Sequence, residues 1–213
     1  MHRIWSWWYF IRLFTRHTLC DKFDVSRFKK KKVSISITKN LIGLGFDYLL
    51  SNLIDNRAGV EDTDFDYAKH LFERYYFLNL TTNSKLFPNV TKLLKELKVR
   101  GIKVACITNK PKKFTLPILK NFGLISFFDS IIAGDSYVLK KPSPYPLMKC
   151  ATKLKISNKS MLMVGDSVTD VNAAKKAEIP VICVDYGYRG KMAASELECD
   201  ILIDDIYKIL NHI

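Results

Sequence analysis

Short apolar runs alternate with helical segments from residue 92 to the end of the chain, and this alternation constrains the fold more than any other feature. Apolar residues at helical spacing predict helices over residues 92–100, 114–122, 144–154, 168–177 and 204–210. The β-rich runs between them predict buried strands over residues 103–108, 130–133, 161–166, 181–185 and 200–203. Strands that alternate with helices predict an α/β fold, with a parallel sheet covered on both faces.

Residues 33–87 follow a different pattern. Their apolar residues recur at helical spacing in ISITKNLIGLGFDYLLSNLID and FDYAKHLFERYYFLNL, with no strand signal between the two segments. This pattern predicts a small all-helical module placed before the α/β portion. In a parallel sheet, ligands bind beyond the carboxyl ends of the strands. The loops after Ile107, Ala133 and Val164 are polar and are therefore the candidate functional positions.

The net charge of +13 raises the question of nucleic-acid binding. Apart from blocks at residues 29–32 and 110–113, the basic residues are scattered over helical faces. No recognition helix, zinc-ligand spacing or aromatic–basic platform accompanies them, so we expect no nucleic-acid partner. The apolar stretch at residues 4–14 is interrupted by Arg12 and is too short to span a bilayer. We expect no membrane association, and the five cysteines, without a CxxC pair, predict reduced thiols in a cytoplasmic protein.

Three polar positions have residue types suited to phosphate chemistry. Asp166 and Asp170, in GDSVTD, can hold a divalent cation such as Mg²⁺; alternatively, an aspartate or the serine of this motif can cap the helix that follows. Lys141, in KKPSP, can neutralise a phosphoryl group, although for this residue alone a surface lysine before a turn is the more ordinary interpretation. Thr108 and Asn109 can bind phosphate oxygens, or can form a simple strand-end turn. Taken singly, none of these residues decides between the alternatives.

Taken together, the motifs resemble those of the haloacid dehalogenase superfamily. ITNK, GD-x5-KPSP and MVGDSVTD occur in the order and spacing of its second, third and fourth motifs. NLIGLG at residues 40–45 and VDYGY at residues 184–188 resemble segments of its phosphoglycolate phosphatase subfamily. The similarity covers about residues 33 to 213. The resemblance implies a Rossmann-like α/β core at residues 88–213 and a small all-helical cap at residues 33–87.

The resemblance also implies an activity, which is the Mg²⁺-dependent hydrolysis of a small phosphomonoester through an aspartyl-phosphate. On the family pattern, Thr108 and Asn109 bind phosphate, and Lys141 stabilises the nucleophile and the charge of the transition state. The metal residues would be Asp166, which would ligate Mg²⁺, and Asp170, which would orient the water molecules bound to the ion. The expected partner is a small phosphorylated metabolite, and the expected assembly is a monomer or a small homo-oligomer.

The sequence departs from the family at the position of the nucleophile. No DxDGT motif follows an apolar strand, and Asp21 and Asp24 in DKFD have the wrong spacing and no glycine. Residues 1–32 therefore read as an aberrant N-terminal segment, and the first strand of the core is expected to be missing or aberrant. Two alternatives to phosphoglycolate hydrolysis follow: a phosphatase for another sugar or nucleotide phosphate, and an inactive member of the superfamily that only binds phosphate.

A shifted reading frame accounts for this departure. AT-rich codons for residues 1–28, read one base out of frame, spell CIVFDLDGTLLDSLPDIHYAINLMLVDL. That string contains an apolar strand, the absent DLDGT and an amphipathic helix, provided that Trp5 and Trp7 are encoded by TGA. The lysine run at residues 29–32 is the predicted slippage point where the frame returns. We therefore predict that this segment is an out-of-frame translation of an intact motif.

Overall fold

The computed structural model describes residues 4–6, 11–12, 62–82, 84–187 and 192–213. Its strands are β1 (Ile4–Ser6), β2 (Ile11–Arg12), β3 (Lys85–Leu86), β4 (Lys103–Ile107), β5 (Ser130–Ile132), β6 (Met161–Gly165), β7 (Val181–Val184) and β8 (Ile201–Ile203). Its α-helices are α1 (Asp62–Leu78), α2 (Val90–Val99), α3 (Lys112–Asn121), α4 (Tyr145–Leu154) and α5 (Val168–Lys176). The α/β alternation predicted from residue 92 onward is confirmed.

Six strands form a parallel sheet in the order β5-β4-β1-β6-β7-β8. From β1 the chain continues to one side of the sheet through β4 and β5, and then returns to the other side through β6, β7 and β8. The direction of winding therefore reverses at β1. In open α/β sheets, such a reversal opens a crevice beyond the carboxyl ends of the strands. This position of the sheet is where the polar loops after β4 and β6 come together.

The central strands are buried on both faces, which explains their continuous apolar runs. Successive residues of β4 alternate between two core clusters: Val104 and Cys106 belong to one, and Ala105 and Ile107 to the other. The first cluster also contains residues of α2 and α3, and the second contains residues of α4 and α5. The central strands therefore join two helical layers, and the polar residues of the predicted site come in the loops that follow them.

The expectation that the first core strand would be missing is wrong. Ile4–Ser6 lies between β4 and β6 and pairs in parallel with both. A central strand can form here without the family motif because the sheet is joined through backbone N–H and C=O groups, which every residue of this segment supplies. The isoleucine and tryptophan of this strand are also residue types that favour β structure.

Two further elements differ from the sequence expectations. Lys85–Leu86 forms a short antiparallel pair with Ile11–Arg12, although residues 33–87 read as entirely helical. The segment predicted as a helix at residues 204–210 is a 3₁₀ helix, Ile206–His212. Its buried residues, Ile206 and Ile209, are three positions apart, which matches the three-residue turn of a 3₁₀ helix.

The predicted cap lies largely outside the described residues. Of residues 33–87, the structure describes α1, the short turn after it and β3. The helical character of residues 65–80 agrees with α1, and the division of the chain at about residue 88 stays a prediction. Within the described part of the chain, no helix has the length and apolar character needed to cross a membrane.

Candidate active site

Lys141 is the central side chain of the site. It is only 7% exposed, although it belongs to a loop. Its ammonium donates hydrogen bonds to the carbonyl oxygen of Ile107 and to Oδ1 of Asp170, each at 2.7 Å. The surface-lysine alternative is therefore wrong for this residue. A buried ammonium between two loops of the sheet edge places a fixed positive charge at the crevice.

Asn109 fixes the backbone of Lys141. Its side-chain amide donates to the carbonyl oxygen of Lys141 at 2.8 Å, and its Oδ1 accepts from the Lys141 N–H at 3.0 Å. Gly134 approaches the same residue so closely that a Cβ on Gly134 would lie 2.0 Å from the carbonyl oxygen of Asn109. The loops after β4 and β5 are thereby joined. In this structure, the side chain of Asn109 holds a loop.

Thr108 follows β4 directly and is 3% exposed. Its N–H donates to the carbonyl oxygen of Ile132 at 2.9 Å, and its Oγ1 accepts from the N–H of Lys110 at 3.0 Å. Since the hydroxyl acts as an acceptor in the second bond, it retains its proton to donate. This is the group that a phosphate oxygen requires.

Asp170 lies on the first turn of α5 and faces the loop before it. Its Oδ2 accepts from the hydroxyl of Ser167 at 2.7 Å and from the N–H of Asp166 at 3.4 Å. Ser167 is also the N-cap of α5, where its oxygen accepts from the Asp170 N–H. Of the aspartate and serine that the sequence offered as helix caps, Ser167 is the one that caps α5. Asp170 pairs with Lys141, and its side chain is directed into the site.

Asp166 follows β6 and is fully buried. A carboxylate at this position is a hard oxygen ligand of the kind that Mg²⁺ prefers, and Mg²⁺ usually takes only one or two protein carboxylates, with waters and substrate oxygens completing its shell. The donor set therefore fits a magnesium ion held by Asp166, with Asp170 committed to Lys141. No cluster of three or more metal-ligating His, Cys, Asp or Glu side chains occurs among the described residues.

The cysteines near the site are not activated. Cys106 in β4 is fully buried, and burial raises its pKa to about 12 despite the nearby charge of Lys141. Burial likewise raises the pKa of Cys150 to about 12 and that of Cys183 still further. The described cysteines form no disulfide. These three thiols stay protonated near neutral pH, so none of them is an activated nucleophile.

The structure thus brings all five predicted residues to one edge of the sheet. Lys141 contacts Asp170 and the end of β4, Asn109 holds Lys141, and Asp166 donates to Asp170. Sequence reasoning missed the roles of Gly134 and the carbonyl oxygen of Ile107, and it left the helix cap open between serine and aspartate. Ser167 had a usable signal, because a serine before a helix with a carboxylate three residues later is a capping pattern.

A sequence model of the haloacid dehalogenase-like hydrolases matches residues 17–184. The chain belongs to this family. The phosphoglycolate phosphatase of Nitrosospira multiformis is 35% identical over 181 residues, which cover 84% of this chain and 80% of that protein. The phosphoglycolate phosphatase of Yersinia pestis is 37% identical over 168 residues, covering 77% of this chain and 72% of that protein.

Solved structures of haloacid dehalogenase-like proteins share the fold. A predicted phosphoglycolate phosphatase from Haemophilus somnus superimposes with a TM-score of 0.89 at 29% identity, covering 99% of this chain and 96% of that one. A haloacid dehalogenase-like hydrolase from Bacteroides fragilis gives a TM-score of 0.79 at 23% identity, covering 97% and 98% of the two chains. The family match confirms the resemblance drawn from ITNK, KPSP and GDSVTD, and with it the phosphoric monoester hydrolase class.

Proposed function

We propose that this chain carries the site of a Mg²⁺-dependent phosphatase for a small phosphorylated metabolite, with phosphoglycolate as the first candidate. The observation that carries the proposal is the buried ammonium of Lys141. It lies between the end of β4 and the start of α5, with Thr108 and Asp166 in the adjoining loops. Relatives named phosphoglycolate phosphatase support the choice of substrate.

In this proposal, the loop after β4 binds the phosphoryl group. The hydroxyl of Thr108 donates to one phosphate oxygen, and Lys141 offsets the negative charge that collects on the group during transfer. Asn109 acts by holding Lys141 in position, through the paired hydrogen bonds of their backbone and amide groups. Asp170 keeps the ammonium in place and balances its charge before substrate binds.

Asp166 would hold the magnesium ion. The carboxylate of Asp170 would itself be kept in its orientation by hydrogen bonds from Ser167 and Lys141. When bound, the ion neutralises phosphate charge and polarises the phosphoryl oxygens. Because Asp166 is the only described carboxylate assigned to the ion, the affinity for Mg²⁺ should be weak without substrate. Asp166→Asn should abolish the stabilisation of the protein by Mg²⁺ in a thermal melt.

The nucleophile is the part of the mechanism that this sequence does not supply. Residues 1–20 contain no Asp or Glu, although β1 occupies the centre of the sheet between β4 and β6. The family match leaves out residues 1–16, which include β1. The absence of a carboxylate supports the shifted-frame hypothesis for this segment, whereas the family match includes residues 17–28 and does not support it. We therefore propose that the chain as written binds phosphate but turns over poorly, and that an in-frame N-terminus restores the aspartyl-phosphate route.

The helical module before the core is proposed as the cap that selects the substrate. Its last helix, α1, lies against α3: the ring of Tyr76 meets the ring of Phe114 at 4.9 Å, and Glu73 pairs with Lys113 at 2.5 Å. Another sugar or nucleotide phosphate is the alternative substrate class, and a panel of phosphomonoesters distinguishes it from phosphoglycolate.

Two purified proteins test the proposal: the chain as written, and a version in which DLDGT and its helix join the chain at the lysine run of residues 29–32. Each is assayed with phosphoglycolate and a panel of sugar and nucleotide phosphates, with and without Mg²⁺. The reconstructed protein should hydrolyse phosphoglycolate only with Mg²⁺, and the written chain should show little turnover. Equal activity of both would contradict the assignment of the nucleophile. TGG codons at Trp5 and Trp7 would refute the shifted frame.

A second candidate function is phosphate binding without hydrolysis, which the absence of a carboxylate from residues 1–20 favours. Calorimetry with inorganic phosphate distinguishes it. If the written chain binds phosphate, Thr108→Val weakens that binding, and the reconstructed chain is also inactive on every ester, then the binding function stands and the phosphatase proposal fails.

A further inference from the structure

Gly187 lies directly against the carboxylate of Asp166. A Cβ placed on Gly187 would be 2.0 Å from Oδ2 of Asp166, 2.7 Å from its Cγ and 2.8 Å from its Cβ. These distances are far shorter than any real carbon contact, so no side chain fits without moving one of the two residues. The φ of Gly187 is also positive, at +142°, and residues that carry a side chain rarely adopt this backbone conformation.

The two residues before Gly187 are anchored to the rest of the core. The N–H of Asp185 donates to the carbonyl oxygen of Ile203 at 2.8 Å, which continues the pairing of β7 with β8. The ring of Tyr186 packs against that of Phe87 with 4.5 Å between ring centres. Tyr186 is also partly buried against the first core cluster, so this ring is part of the packed structure. Because these two anchors directly precede Gly187 in the chain, they limit how far its α-carbon can withdraw from Asp166.

On the other side, Asp166 is held by the sheet and by Asp170. It follows β6 immediately, its N–H donates to Asp170, and it is fully buried. The carboxylate is therefore confined between the loop of Gly187 and the start of α5. A methyl group at residue 187 would push the carboxylate out of this space.

We propose that Gly187 is a positioning residue for the divalent cation: its bare α-carbon sets the orientation of the Asp166 carboxylate. This inference rests on the proposed Mg²⁺ site. It assigns Gly187 no contact with substrate, and its effect passes entirely through Asp166. Groups that orient a metal ligand typically change metal affinity by about 10- to 100-fold when they are altered.

Gly187→Ala and Gly123→Ala form a matched pair for the test. Gly123 also has a positive φ, +65°, but a Cβ there would meet nothing within 4 Å. Both variants carry backbone strain, and only the first places an atom in the position of Asp166. Mg²⁺ binding is measured on the full-length chain by calorimetry and by the shift of its melting temperature. We expect Gly187→Ala to weaken Mg²⁺ binding about 10-fold or more, and Gly123→Ala to change it less than twofold. Equal Mg²⁺ affinity of wild type and Gly187→Ala would overturn the proposal.

A stability cycle keeps the contact testable if Gly187→Ala folds poorly or if the wild-type chain binds no Mg²⁺. Asp166→Ala removes Oδ2 and Cγ, the two closest obstacles to a Cβ at residue 187. The melting temperature lost through Gly187→Ala should therefore be smaller in the Asp166→Ala background than in wild type. Equal losses in both backgrounds would overturn the contact itself. Coupling in this cycle without any Mg²⁺ binding by wild type would refute both the metal role of Gly187 and the metal part of the proposed function.

Discussion

The charge of Lys141 is buried away from water, and the carboxylate of Asp170 offsets the energetic cost of that burial. Their side chains are 5% and 6% exposed, and their charged atoms are 2.7 Å apart. Taking both ions out of water costs several kcal/mol each, and their attraction offsets that cost only while both are present. The pair therefore contributes a fixed charge arrangement to the site, while its net contribution to stability is small.

Lys141→Met tests this balance. It leaves Asp170 buried without its partner, so we expect the free energy of unfolding to fall by about 3–5 kcal/mol. Lys208→Met is the control, because Lys208 and its partner Asp204 form an exposed pair and its removal should leave stability nearly unchanged. Urea denaturation measures both. Adding Asp170→Asn to Lys141→Met should restore part of the loss, and no recovery would contradict an uncompensated buried carboxylate as the cause.

At the scale of single elements, α5 shows how a helix start is combined with a functional residue. Ser167 caps the helix by accepting from the Asp170 N–H at 3.3 Å, and its own hydroxyl donates to Asp170 at 2.7 Å. One serine thus satisfies a backbone group of the helix and orients a carboxylate of the site. A change at this position should affect both the helix and the site.

Ser167→Ala should lower the free energy of unfolding by about 0.5–2 kcal/mol, the usual range for the loss of an N-cap. Ser157→Ala is the matched control. Ser157 also caps, but it caps the three-residue turn Asn158–Ser160 at an exposed position, so its loss should cost less. Chemical denaturation gives both values. A larger loss for Ser157→Ala than for Ser167→Ala would contradict the importance of the α5 cap.

Most elements from α2 onward could be predicted because their patterns are local. Gly101 and Gly123, both with positive φ, end the helices that the sequence ended there, and the strand residues of β4 and β6 are buried as their apolar runs indicate. The site residues could be placed together because parallel strands end at one edge. The burial of Lys141 could not be predicted, since it depends on Asn109 and Asp170, which lie 32 and 29 residues away in the chain. Likewise, no local signal shows that Gly187 meets Asp166.

At the scale of the whole molecule, β1 joins two halves of the sheet that otherwise make no strand pairs with each other. Among the described strands, β5 and β4 lie on one side of it, and β6, β7 and β8 on the other. The prediction that the N-terminal segment contributes no core strand failed because the apolar centre of a sheet requires a backbone partner more than it requires a particular motif.

Deleting residues 1–12 should therefore destabilise the chain severely, because it removes the backbone partner of both β4 and β6. We expect the loss of a cooperative unfolding transition, measured by circular dichroism during heating. A matched control is the deletion of residues 211–213, which lie at the end of the terminal 3₁₀ helix and outside every strand. A deletion of residues 1–12 that melts at the wild-type temperature would contradict the central role of β1.

The buried thiols predict how stability changes at high pH. Cys106 and Cys150 have an ordinary pKa of 9.0 when unfolded and of about 12 when folded. Because burial raises the pKa in the folded state, the protonated thiols contribute their full stabilisation of the folded state below pH 9. This contribution is lost as the pH rises from about 9 to about 12. Urea denaturation at several pH values measures this loss. The double variant Cys106→Ala and Cys150→Ala should show a shallower decline, and an unchanged decline would exclude these thiols as its cause.

The place of β1 also has a consequence for synthesis. Ile4 is synthesised long before its strand partners Lys103 and Met161. The nascent chain must therefore carry an unpaired apolar segment throughout elongation, and the sheet closes only after a long loop is brought together at an entropic cost. We expect closure at β1 to be the slow step of folding, and the unpaired segment of β1 to be the part of the nascent chain that a chaperone protects.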